Sequence, residues 1–241
     1  MSAVFRETFR VRAGEVGPGG TMRVPALLDL FQDVAGTNAT ALGWGSDALL
    51  AEGKTWVLSR FHLRLAALPA WREEIAVETW PSGVHRVFAL REFHATGADG
   101  RLLAEATSAW LLVAFPSKKP LRQPPEISAV AAGSPARLIP DLFDPLPAPG
   151  EGAAAARETR IGRFDLDLNA HANNVAIFRA LLDALGDPPP PFDLEAEFNG
   201  EAFEEDLLEG KADDDGRARR VALFRRRDGR EIVRAVLTAW S

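Results

Sequence analysis

The chain has no cysteine among its 241 residues. Without a thiol there is no disulfide framework, no thiolate metal site and no cysteine nucleophile. No stretch approaches the ~20 consecutive apolar residues that a membrane-spanning helix needs. Met1 is followed within five and six residues by Arg6 and Glu7 rather than by an apolar secretory segment. A cytoplasmic protein with no membrane contact is therefore expected. Positive charge is in short supply as well: 28 Lys and Arg against 34 Asp and Glu leave a net charge of −6, which argues against nucleic acid as a partner. Histidine is scarcer still, with four in the chain. His62, His85 and His94 fall in strand-like runs and read as solvated; their spacing fits no metal site, and no metal or cofactor is expected.

What the sequence does have is a hydrophobic fraction of 46%, enough for a substantial core, and an internal repetition. Nine of its 17 prolines, from Pro116 to Pro149, are concentrated in residues 116–150. Proline lacks the N–H donor and fixes its own φ, so this stretch reads as a connector rather than a long helix or central strand. It separates an N-terminal half, 1–115, from a C-terminal half, 151–241, and each half shows an apolar helix followed by strands. The first helix is PALLDLFQDVAGTNATAL, with Pro25 at a favoured first-turn position. The second is NNVAIFRALLDAL, with Asn173 or Asn174 as a cap. Both are apolar on more than one side, which predicts that both are enclosed.

Period-two runs such as SRFHLRL and EIAVETW predict strands, with Phe61, Leu63 and Leu65 facing one way and Arg60, His62 and Arg64 the other. Residues 85–115 predict a long hairpin turning near Gly97 to Gly100, matched at the C-terminus by RRVALFRRRDGREIVRAVLTAWS. DGRLLAEATSAW and DGREIVRAVLTAW align, sharing the Asp-Gly-Arg turn and the final Ala-Trp. A helix wrapped by a curved antiparallel sheet, present twice, is an α+β tandem (double) hot-dog. ADDDG reads as a loop, and Arg225 to Arg227 as a solvated strand end.

One cluster stands apart. In DLDLNAHANN, Asp167, Asn169 and His171 occupy alternate positions just before the second helix. An extended chain there would point all three to one side, converging on a helix N-terminus whose unpaired N–H groups and partial positive charge suit a developing oxyanion. His171 can exchange protons near neutral pH. The same spacing is also what turn and capping residues show.

These residues carry a family resemblance. FRVRAGEVGPGGTMRVPALLDLFQDVAG, GWGSDALLAEGKTWVLSRFHLRL, VETWPSGVHRVFALREF and DLDLNAHANN together look like the acyl-acyl carrier protein thioesterases, double hot-dog enzymes that release fatty acids from their carrier. The resemblance implies a fourth site residue. The family has a glutamate in a strand after the second helix, within a Glu-aromatic-x-x-Glu pattern, and EFNGEA places it at Glu201. Where many plant relatives have cysteine next, this chain has Ala202, so water becomes the expected nucleophile. Glu201 would then act as general base or orient the water, His171 would assist proton transfer, Asn169 would position water or substrate, and Asp167 would hold the network. The opposing reading places Glu201 on the surface, beside Glu204, Glu205 and Asp206.

The resemblance further implies an acyl-chain-binding N-terminal half, a catalytic C-terminal half, and acyl-loaded carrier protein as partner. An acidic carrier needs a basic patch, for which Lys118, Lys119 and Arg122, or Arg217, Arg219 and Arg220, are candidates. Coenzyme A thioesters are the alternative substrate, and a non-catalytic acyl sensor is the alternative from another class. Sensors of this fold that regulate transcription carry a DNA-binding segment ahead of the hot-dog, and with the strand-like FRETFRVR beginning at Phe5 that form is not expected. A tandem hot-dog supplies its own pairing internally and leaves room for a homodimer.

Overall fold

The computed structural model describes residues 4–140 and 143–240. The chain divides into two compact units, residues 1–141 and 142–241, with the dividing point inside the proline-rich stretch.

In unit 1, β1 (Phe5–Arg10) leads through one 3-10 turn to α1 (Val24–Ala41) and the short α2 (Ser46–Ala51). Four strands follow: β2 (Lys54–Leu65), β3 (Glu74–His85), β4 (Phe88–Gly97) and β5 (Leu102–Ala114). They hydrogen-bond in the order β1-β3-β4-β5-β2, all antiparallel. Leu27, Leu28, Leu30, Phe31, Val34 and Ala35 of α1 are buried against this sheet, so the helix is enclosed as its all-round apolar sequence requires. The proline-rich stretch contributes α3 (Pro125–Ala131), only seven residues long.

Unit 2 repeats the scheme. β6 (Ala154–Arg160), a 3-10 turn and α4 (Asn174–Leu185) precede β7 (Phe192–Phe198), β8 (Leu207–Asp214), β9 (Ala218–Arg225) and β10 (Arg230–Ala239). The strand order is β6-β8-β9-β10-β7, which is the order of unit 1 element for element. Each unit is thus a helix held by a five-stranded antiparallel sheet, and the protein is a tandem hot-dog. The two Asp-Gly-Arg turns coincide in geometry: Gly100 and Gly229 have φ of 81° and 68°, and the Asp side chain accepts from the Arg amide at 3.1 Å in one and 3.2 Å in the other. Those left-handed dihedrals are why glycine stands there.

Several expectations of detail are corrected. Arg60 keeps the face opposite Phe61 but is buried there, next to a register shift between Leu58 and Arg60. Ala212 to Asp214 of ADDDG belong to β8, where pairing with β9 outweighs the poor strand propensity of aspartate because Asp213 meets Arg220 and Asp214 meets Arg219. His62, His85 and His94 are half-buried rather than solvated, and His94 lies 3.4 Å from Glu78 across the β3–β4 pair. Arg225, read as a solvated strand end, is buried.

Candidate active site

The segment between β6 and α4 is not extended. Leu166 and Ala172 form an isolated β-bridge, and residues 167–171 close a tight loop between them. The loop is tied by the Asp167 amide to the His171 carbonyl (2.7 Å) and by the Ala170 amide to the Asp167 carbonyl (3.0 Å). Asp167 Oδ1 accepts from the amides of Asn169 (2.8 Å) and His171 (3.2 Å). This is the local side-chain-to-backbone bonding that aspartate favours in turns. The carboxylate is therefore spent inside the loop, and the expected convergence of three side chains on the helix N-terminus does not occur. That N-terminus is capped instead by Asn173, whose Oδ1 accepts from the Val175 amide at 2.9 Å.

Unit 1 contains the same loop with different side chains. Gly17 donates to the Thr21 carbonyl at 2.9 Å and Gly20 to Gly17 at 3.0 Å, and Val16 and Met22 form the bridge. Gly17, Gly19 and Thr21 thus occupy the places of Asp167, Asn169 and His171. Gly20 has φ of 74°; its counterpart Ala170 keeps φ at 58°, in the left-handed region without the excuse of being glycine. The next loop is also matched. The Met22 amide bonds the Pro69 carbonyl as the Ala172 amide bonds the Ala202 carbonyl, both at 2.8 Å.

That last bond brings Glu201 to His171. Glu201 lies beyond the end of β7, in the loop leading to β8, not in a strand as expected. Its Oε1 is 3.4 Å from His171 Nδ1, with side chains 31% and 20% exposed, so both can meet a ligand while held by protein. The separation is longer than a strong hydrogen bond. The carboxamide of Asn169, half-buried two residues away, has no hydrogen-bond partner among the described residues. Ala202 is buried and offers no reactive group.

Beneath the pair lies a group that sequence reasoning missed. Arg225, at the end of β9, donates from Nη1 to the Glu201 carbonyl at 2.8 Å and binds Asp228 through Nε and Nη2 at 3.0 and 2.6 Å. Its guanidinium sits 5.6 Å above the Phe203 ring, Arg227 sits 5.4 Å from the same ring, and His171 meets that ring edge-on at 5.1 Å. Asp206, almost fully enclosed, accepts from the Phe203 amide at 2.9 Å and pairs with Arg227 at 3.1 Å. The hydrogen bonds from Arg225, followed by the positive charges of Arg225 and Arg227, hold the Asp228 carboxyl down at about 2. The available signal was register: Arg225 pairs with Leu208 and Arg230, so its side chain falls on the same side as the buried Leu223 two residues back.

Among the described residues no helix is long and apolar enough to cross a membrane, and no group of three or more His, Asp and Glu could hold a metal ion.

An enclosed helix in each of two five-stranded sheets, with a histidine and a glutamate meeting on two loops of the second, places the chain among the hot-dog proteins. The family model of the acyl-ACP thioesterase N-terminal domain matches residues 2–131. The chain belongs to that family. It is 26% identical over 215 residues to the chloroplastic oleoyl-acyl carrier protein thioesterase of Coriandrum sativum, an alignment covering 75% of this chain and 53% of the relative. An acyl-[acyl-carrier-protein] hydrolase of Cuphea viscosissima is 25% identical over 273 residues, covering 98% of this chain and 62% of the relative. The chain thus spans about half to three-fifths of the length of these curated relatives. Among solved structures, an acyl-ACP thioesterase from Bacteroides thetaiotaomicron superposes with a TM-score of 0.83 at 20% identity, over 98% of this chain and 97% of that one. The 12:0-ACP thioesterase from Umbellularia californica gives 0.83 at 21%, over 100% and 98%. Both show the shared fold across both units.

Proposed function

We propose that the protein hydrolyses fatty acyl thioesters of acyl carrier protein, with the chemistry in unit 2 and the acyl chain taken up by unit 1. The observation that carries the reading is the approach of Glu201 Oε1 to His171 Nδ1 at 3.4 Å on two loops joined through Ala172 and Ala202. A carboxylate beside an imidazole can take a proton from water and pass one on. Glu201 accepts a proton from the attacking water as its oxygen bonds to the thioester carbonyl carbon. Nε2 of His171, the ring nitrogen turned away from Glu201, delivers a proton to sulfur as the C–S bond breaks, and Glu201 passes the proton it took from water to Nδ1, 3.4 Å away, so that both groups regain the charge they began with. The products are a free fatty acid and the carrier thiol, with no atoms left over. The free carboxamide of Asn169 steadies the carbonyl oxygen or the water. Asp167 acts only through the loop, by holding the amides of Asn169 and His171.

The test is release of free thiol from a panel of carrier-linked acyl groups of varied length, repeated with the matching coenzyme A thioesters. Wild-type protein should turn over the carrier-linked panel, and Glu201→Ala should lower kcat by roughly 100-fold or more while leaving the fold intact. Near-normal turnover by that variant would remove Glu201 from the mechanism. Equal kcat/KM on both carriers would remove the carrier protein from the reading.

A further inference from the structure

The loop that carries Glu201 also has a counterpart in unit 1, matched bond for bond. In unit 1 the Val11 amide donates to the Glu73 carbonyl at 2.9 Å, the Arg72 amide to the Val11 carbonyl at 3.0 Å and the Glu73 amide to the Ala70 carbonyl at 3.1 Å. In unit 2 the Ile161 amide donates to the Asp206 carbonyl at 2.9 Å, the Glu205 amide to the Ile161 carbonyl at 2.9 Å and the Asp206 amide to the Phe203 carbonyl at 3.1 Å. Each loop ties an amide to its own carboxylate, Ala70 to Glu73 and Phe203 to Asp206, both at 2.9 Å. Arg72 and Glu205 make the same left-handed turn, with φ of 69° and 66°. Phe203 therefore stands where unit 1 has Ala70, and the loop closes without an aromatic ring. A phenyl group that the loop does not need is explained by what it touches.

What it touches is His171. The two rings lie 5.1 Å apart with their planes at 89°, the edge-to-face arrangement that aromatic pairs favour. The imidazole's polar partner, Glu201 Oε1, stands 3.4 Å from Nδ1, too far to set the ring plane by itself. The phenyl ring is better fixed. Arg225 and Arg227 place guanidinium groups 5.6 and 5.4 Å from its centroid, and Asp228 and Asp206 hold those groups in turn. Its backbone is pinned by the Asp206 carboxylate and, one residue earlier, by the Ala172 amide on the Ala202 carbonyl. In unit 1 the positions of His171 and Phe203 are Thr21 and Ala70, which face each other across an isolated β-bridge. Measured from the shared Asp-Gly-Arg turn, Arg225 and Arg227 fall on Thr96 and Ala98, and Glu201 falls on Leu68. The histidine, the glutamate, the phenyl ring and both cations thus occur together in one copy and are all missing from the other.

We propose that Phe203 is a positioning residue of the reaction centre, whose ring, steadied by Arg225 and Arg227, fixes the plane of the His171 imidazole so that Nδ1 stays toward Glu201 and Nε2 toward the departing sulfur. The reaction it serves rests on the thioesterase reading; the contact itself rests on the geometry of the unliganded protein. The bond that carries an imidazole has a broad, roughly two-fold preference, so a half-turn that exchanges nitrogen for carbon meets little resistance of its own. A histidine so turned can neither take the proton from Glu201 nor deliver one to sulfur. An edge-to-face contact biases such an equilibrium roughly 3- to 10-fold. Because the ring acts through His171 and not on the substrate, the bias enters kcat and leaves KM alone.

Phe203→Leu tests this, since it keeps an apolar side chain and removes the ring. Thiol release from a carrier-linked acyl substrate should show kcat lowered roughly 3- to 10-fold at unchanged KM. The urea midpoint should stay close to that of wild type, because Ala70 shows that the loop closes without a ring. Phe203→Tyr restores the ring and should recover most of the lost kcat. With four histidines in the chain, the imidazole C–H resonances of His171 are identified by their loss in His171→Gln. The ring current of Phe203 should displace them in wild type and in Phe203→Tyr, and Phe203→Leu should return them toward the positions of free histidine. A Phe203→Leu kcat within a factor of two of wild type, or an equal loss in Phe203→Tyr, overturns the positioning role while hydrolysis stands. So does a raised KM at unchanged kcat, which would put the ring against the substrate. A wild type that releases no thiol sinks the thioesterase reading instead, and the resonances then decide alone: His171 signals that do not move in Phe203→Leu would show that the ring does not hold the imidazole.

Discussion

Replacing Arg225 with methionine keeps much of the side-chain volume and removes the cation on which the Glu201 loop rests. Three polar interactions are lost, along with the guanidinium's place over the Phe203 ring. The bond to the Glu201 carbonyl, 2.8 Å from a buried charged donor, is of the class that contributes about 1.5–3 kcal/mol. Asp206, with 4% of its side chain exposed, loses a positive neighbour at 3.8 Å and is left with Arg227. The pair with Asp228 adds little, because that carboxylate is 44% exposed and solvent takes the place of the guanidinium. The sum is a destabilisation of about 3 kcal/mol, read as a lower urea midpoint at unchanged m-value. Catalysis should suffer more than stability in the surviving folded fraction. Once the Glu201 carbonyl is released, its carboxylate no longer has a fixed approach to His171, and a displacement of about 1 Å can lower kcat roughly 100-fold. KM should move little, because no residue that would hold the acyl chain has been touched. Urea unfolding followed by tryptophan fluorescence and thiol-release kinetics below the unfolding range separate the two effects. A stable Arg225→Met variant with kcat within a factor of two of wild type would refute the argument that this guanidinium positions the pair.

Ala170→Gly removes a left-handed strain that Gly20 avoids in unit 1 and should raise unfolding free energy by up to about 1 kcal/mol; a loss of stability would mean that the Ala170 methyl has a packing role. Asp228 has its carboxyl lowered in the folded state to about 2, so its stabilising contribution is present above the unfolded value near 3.9 and is lost as pH falls from about 4 through 2. Asp228→Asn should therefore lower the urea midpoint at pH 6 only slightly, as solvent screening of the exposed carboxylate requires, and flatten its decline over that acid window, whereas parallel pH profiles would count against the pairing. Arg219 and Arg220 are engaged by Asp213, Asp214 and Asp215, so under the proposed function the exposed Lys119 and Arg122 are the charges expected to meet a carrier protein in preference to that patch. Reversing both should raise KM several-fold for a carrier-linked substrate and not for a short free thioester; equal effects on the two would locate docking elsewhere.

The sequence was most informative where periodicity and punctuation agree. The helices expected at 25–42 and 173–185 run from Val24 to Ala41 and from Asn174 to Leu185, because apolar faces and the residues that start and stop them sit close together in the chain. The paired Asp-Gly-Arg turns were legible for the same reason. Long-range placement was less so. Alternation says which side of a strand a residue takes but not what covers it, so Arg225 reads from the sequence as an ordinary strand-end arginine. The Glu-aromatic-x-x-Glu resemblance implies a strand at Glu201, although Asn199 and Gly200, which precede it, disfavour strand continuation. The extended reading of Asp167 to His171 failed for a reason visible in retrospect: aligned with Gly-Pro-Gly-Gly at 17–20, the segment Asp-Leu-Asn-Ala falls where the other copy has an unmistakable turn.

The twin loops have a consequence for how chemistry can be altered. One backbone circuit closes around Gly17, Gly19 and Thr21 in unit 1 and around Asp167, Asn169 and His171 in unit 2, with amide-to-carbonyl bonds that no side chain supplies. The backbone circuit therefore closes with either set of side chains, and in unit 2 the Asp167 carboxylate adds two bonds of its own. Reactive groups can be taken out of unit 2 without dismantling the support beneath them, and unit 1 holds a vacant duplicate, with Leu68 standing one residue before Pro69 as Glu201 stands before Ala202. A carboxylate at Leu68 and an imidazole at Thr21 would be the two substitutions from which a second reaction centre could be started on a backbone already shaped to hold it.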